Sequence, residues 1–98
     1  MSIHFEYWNL PRGTGATTDM LWEALKQAHM NPDVNVYCLF YGYQLAAMSA
    51  ETLPYKPINL PLTSVNMQPI GRKGMVYVDG SVKELSGSVL MDWEKVAM

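Results

Sequence analysis

A chain of 98 residues with 49 % hydrophobic and 16 % charged residues can build one modest core, burying roughly 60–65 % of the surface its unfolded form exposes, and it carries fewer charges than the ~25 % usual in globular domains. Its net charge of −2 and pI near 5.5 exclude bulk electrostatic attachment to nucleic acid or to an anionic membrane surface, both of which need clustered Lys and Arg. One cysteine, Cys38, excludes an internal disulfide framework, and the absence of a signal-peptide pattern or of ~20 consecutive apolar residues makes a cytoplasmic protein without a membrane segment the expectation.

Ser2 to Leu10 alternates, Ile3, Phe5 and Tyr7 against His4, Glu6 and Trp8, as a half-buried strand does. Pro11 ends it and a glycine-rich turn follows. Thr17 or Thr18 can cap a helix running to about Met30, with Asp19 in its first turn; Leu21, Ala24, Leu25 and Ala28 form its apolar stripe, and Asn31-Pro32-Asp33 stops it. Val34 to Tyr43 is the densest β-branched and aromatic run of the chain. It offers no face to water, with Val34, Val36, Cys38 and Phe40 on one side and Tyr37, Leu39 and Tyr41 on the other, so it reads as an interior strand with Cys38 a buried, inert thiol.

Gln44 to Glu51 is rich in helix formers and is assigned a short helix. Residues 53–71 hold Pro54, Pro57, Pro61 and Pro69 and read as a long extended loop. Met75 to Val78, Asp79-Gly80 and Ser81 to Leu85 read as a hairpin with a type I′ turn, and Val89, Met91 and Trp93 alternate with Leu90, Asp92 and Glu94 as a last strand. The expected fold is therefore a single α+β domain over 1–98: an antiparallel or mixed sheet of about five strands, one main helix packed on one face, and a C-terminal β-meander.

Three stretches are candidates for function. Strand, then Arg12-Gly13-Thr14-Gly15-Ala16-Thr17-Thr18, then helix, is an arrangement in which glycines admit an anion to backbone N–H groups at a helix N-terminus. It lacks the lysine of a P-loop and the three-glycine dinucleotide pattern, and a plain connection with a threonine cap explains it as well. Arg72-Lys73 between Gly71 and Gly74 is the only adjacent basic pair, a phosphate grip or an ordinary solvated turn. Pro54-Tyr55-Lys56-Pro57 matches polyproline II spacing, with Tyr55 as an exposed anchor. Trp8 and Trp22, off the apolar sides of their elements, suit a contact surface or simple filling of the edge.

His4 and Glu6 share a strand face, but only His29 could join them, short of the three or four ligands a metal needs. No metal site, cofactor or catalytic set of acid, base and nucleophile is read. The low charge, the tryptophans and the proline segment point to a non-catalytic protein-binding or self-assembling module, for example an accessory or inhibitory protein of the kind phages and mobile elements encode. Its protein interface would be Trp8, Trp22, Pro54, Tyr55 and Pro57, the partner another protein or a second copy in a homo-oligomer. The alternative is a binder of a phosphate-bearing small molecule or nucleotide through Arg12, Gly13, Thr14, Gly15, Thr17, Thr18, Arg72 and Lys73.

Overall fold

A strand that gives no face to water needs a neighbour on each edge and cover on each side. The computed structural model, which describes residues 3–4, 15–67, 73–82 and 87–97, supplies both for β2 (Asn35–Phe40). It pairs in parallel with β3 (Leu62–Ser64) through Cys38↔Leu62 and with β4 (Gly74–Val78) through Cys38↔Tyr77. A two-residue strand β1 (Ile3–His4) joins the far side of β4, giving the order β1-β4-β2-β3.

Among the described residues, three helices cover this sheet. α1 (Ala16–Met30) and α2 (Tyr43–Glu51) lie on one face, where Leu21, Ala24, Leu25 and Ala28 meet Val36, Cys38, Phe40 and Tyr77. α3 (Gly87–Ala97) lies on the other, where Trp93 and Val96 meet Tyr37, Leu39, Val76 and Val78. Successive residues of β2 thus enter opposite cores, as its alternation predicts. The helix reading of 44–51 also holds.

The expected antiparallel or mixed sheet with a C-terminal meander is overturned: the sheet is all-parallel, and the helices lie on both faces instead of one main helix on one. Met75-Val76-Tyr77-Val78 is a buried interior strand, not half of a hairpin. Its unbroken apolar run, like that of β2, marks a strand covered on both sides. Asp79-Gly80 is not the central pair of a turn: the Asp79 N–H still donates to the Leu39 carbonyl at 2.9 Å, and the turn closes from Asp79 to Val82, whose N–H reaches the Asp79 carbonyl at 3.1 Å; residues 83–85, the expected return strand, lie outside the described residues.

Val89 to Glu94 is helix. Val89, Trp93, Val96 and Ala97 recur at helical spacing and pack on the sheet while Met91 stays exposed, so the period of 3.6 prevails over the period of two. Within 53–71, the expected loop contains β3, which starts just after Pro61. Proline cannot donate to the ladder, yet its carbonyl accepts Cys38 N–H at 3.0 Å, and that of Asn59 accepts Val36 N–H at 2.8 Å. Of the first expected strand only Ile3–His4 is described. Among the described residues, no helix is long and apolar enough to cross a membrane.

Candidate functional site

Parallel strands bring their carboxyl ends to one edge, and where neighbouring strands send their helices to opposite faces a crevice opens there. β4 is such a point: α3 follows it on one face, whereas the helices after β1 and β2 lie on the other. Here the start of α1 meets Asp79. Gly15, with φ 79°, takes the N-cap position and no side chain caps the helix. The expected threonine cap is therefore replaced: Thr17 Oγ1 donates to Asp79 Oδ1 at 2.7 Å.

Asp79 is only 4 % exposed and is fully engaged. Its second oxygen takes Ser81 N–H, its own N–H goes to the Leu39 carbonyl at 2.9 Å, and its carbonyl accepts Val82 N–H at 3.1 Å. The Ser81 hydroxyl accepts Tyr41 N–H at 3.2 Å. This network ties the ends of β4 and β2 to α1.

For anion binding the arrangement is a competitor. The carboxylate occupies the start of α1, where an anion would be favoured, and it holds the Thr17 hydroxyl. Gly15 and Thr18 are exposed nearby, while Arg12, Gly13 and Thr14 lie outside the described residues. Lys73 precedes β4, so five residues, about 16 Å of strand, separate it from the edge where Thr17 meets Asp79. Arg72 is outside the described residues.

The aromatic and proline candidates converge instead. Trp22, Leu25, Lys26 and His29, spaced i, i+3, i+4 and i+7, make a second stripe along α1 beside its buried one. With Pro54 and Tyr55 they line a groove of about 270 Å³. Trp22 and Tyr55 are each 53 % exposed, and the Tyr55 hydroxyl stands 3.4 Å from His29 Nδ1. Pro57 is half-buried and does not line the groove; Trp8 lies outside the described residues.

The second wall is held by backbone bonds to β2, by Leu53 and Leu60 packed in the core, and by the side chain of Asn59, a residue the sequence does not mark. Its side-chain amide donates to the carbonyls of Ala28 at 2.8 Å, Asn31 at 3.1 Å and Val34 at 2.9 Å. One side chain thus ties the 53–61 segment to the end of α1 and the entry to β2. Lys26 and His29 were legible as helix-surface residues, but nothing in the sequence joins them to Tyr55.

Cys38 is buried, and burial, with the Asp79 charge adding, pushes its thiol far above the ordinary range, which disables it as a nucleophile. His29 lies about 18 Å along α1 from Thr17. Among the described residues no group of three or more His, Cys, Asp and Glu is placed to hold a metal. No family model, curated protein or solved structure matches the chain.

Proposed function

We propose that this protein is a non-catalytic binding module that docks on another protein through the groove between α1 and Pro54-Tyr55. The reading rests on one observation: Trp22, Pro54 and Tyr55, far apart in sequence, line a single apolar depression with both aromatic rings half exposed. Aromatic side chains that keep a large apolar surface in water supply binding energy when a partner covers them. The groove is also small. Small-molecule sites usually enclose ~300–1,000 Å³, whereas this one, at about 270 Å³, suits a single protruding side chain.

A photo-crosslinking amino acid placed at Tyr55 tests this in the cells that make the protein, with the same group at Met91, exposed on α3 across the sheet, as control. A discrete adduct from position 55, absent from position 91 and lost with Trp22→Ala, is the expected result. Equal labelling from both positions, or none from 55, would overturn it. Trp22→Ala should weaken the isolated complex by about 2 kcal/mol or more, as a hot-spot aromatic does.

A further inference from the structure

The groove differs in charge from the rest of the molecule. On a chain of net charge −2, its ionisable lining is Lys26 and His29, with the Tyr55 phenol, and among the described residues no carboxylate lines it. Glu23, one helical turn from Lys26, is occupied on the neighbouring stripe, where its Oε1 accepts Gln27 Nε2–H at 3.1 Å.

The end of a helix ordinarily repels anions through its free carbonyls, and His29 is in the last turn of α1. Two of the last four carbonyls of α1 are turned to donors within the chain. The Gln27 carbonyl accepts both the backbone N–H and the side-chain amide of Asn31, each at 2.9 Å, and the Ala28 carbonyl accepts the Asn59 amide.

Resting on the docking reading above, we propose that the groove takes an acidic segment of a partner protein: one large apolar side chain seated against Trp22, Leu25 and Pro54, with a carboxylate beside it at the groove edge, where Lys26 is exposed. The volume sets the single anchor and the lining sets its charge. A basic segment would meet the like charge of Lys26.

The test uses two probes on the full chain, N-acetyl-tryptophan, which carries a carboxylate, and its amide, which does not, each titrated into ¹⁵N-labelled protein while the Trp22 indole and the Tyr55 and His29 amides are followed by NMR. Both should perturb the groove, the acid binding about threefold more tightly, in keeping with an exposed ion pair. Lys26→Gln should erase the difference without weakening the amide. Equal affinity for acid and amide, unaffected by Lys26→Gln, overturns the charge preference and leaves the docking reading standing. No perturbation of the Trp22 indole by either probe at ~10 mM overturns the docking reading itself. Trp22 shifts that grow with protein concentration alone would identify the occupant as a second copy of this chain and overturn the proposal.

Discussion

Asn59 shows how one polar side chain can decide the shape of a surface. It links three carbonyls from the end of α1 and the approach to β2, and truncation removes this donor from all three, the Asn31 carbonyl keeping the Val34 N–H. Asn59→Ala should therefore cost about 1–2 kcal/mol, read as a lower denaturant midpoint with unchanged slope, and should weaken partner binding by loosening the Tyr55 wall. A variant with full stability would show that the segment is held by other contacts.

Cys38 makes a prediction about alkali. Burial raises its thiol pKa in the folded state, whereas the unfolded chain ionises near the ordinary value of ~8.5. The folded pKa is the higher one, so the contribution to stability is complete below the unfolded value. It is lost as pH rises from there toward the folded one, at up to about 1.4 kcal/mol per pH unit. Melting temperatures measured from pH 7 to 10 should fall more steeply for the native chain than for Cys38→Ala. Parallel curves would mean that the thiol is not buried.

Among the elements, the two glycines that matter do so for different reasons. Gly15 has φ 79° with nothing within 4 Å of where a Cβ would stand, so Gly15→Ala meets only the left-handed backbone penalty, about 1 kcal/mol. Gly74 begins β4 opposite Asn35, and a Cβ there would fall on the Asn35 carbonyl oxygen. Strand separation is the only relief, so Gly74→Ala should cost about 3 kcal/mol, near the upper range for overpacking. Urea titrations of the two variants should rank them in that order, and the reverse order would contradict the β2–β4 register.

α3 is anchored by Trp93, whose indole donates to the Val65 carbonyl at 3.1 Å and whose ring meets Tyr37 edge-on, with centroids 5.3 Å apart. The helix therefore grips both the sheet and the segment after β3. Trp22 and Trp93 divide the two uses of an indole, one half exposed at a groove and the other nearly sealed in a core.

At the scale of the whole molecule, both cores are built on the same strands, Cys38 and Tyr77 facing one and Leu39 and Val78 the other. Neither layer can detach without exposing apolar sheet to water, at roughly 25 cal/mol per Å². Unfolding followed by Trp93 fluorescence in a chain carrying Trp8→Phe and Trp22→Phe, which reports the α3 side, and by Cys38 labelling, which reports the α1 side, should give one coincident transition. Two separated transitions would mean that the layers are independent.

The sequence by itself determined what depends on near neighbours: the helical stripe of α1, the short helix at 44–51, the interior character of β2 with its two apolar faces, and the exposed placing of Trp22 and Tyr55. Strand direction was decided only in three dimensions, because Met75 to Val78 reads alike as a hairpin arm or as a buried parallel strand until something covers its second face. Val89 to Glu94 fits two periods at once, and the sheet surface waiting for Trp93 and Val96 selects one. The groove belongs to the same class. Trp22 and Tyr55 are each visible in the chain, but their meeting follows from long-range contacts that no local spacing encodes: the pairing of 59–61 with β2, Leu60 in the core, and Asn59 reaching back to the end of α1.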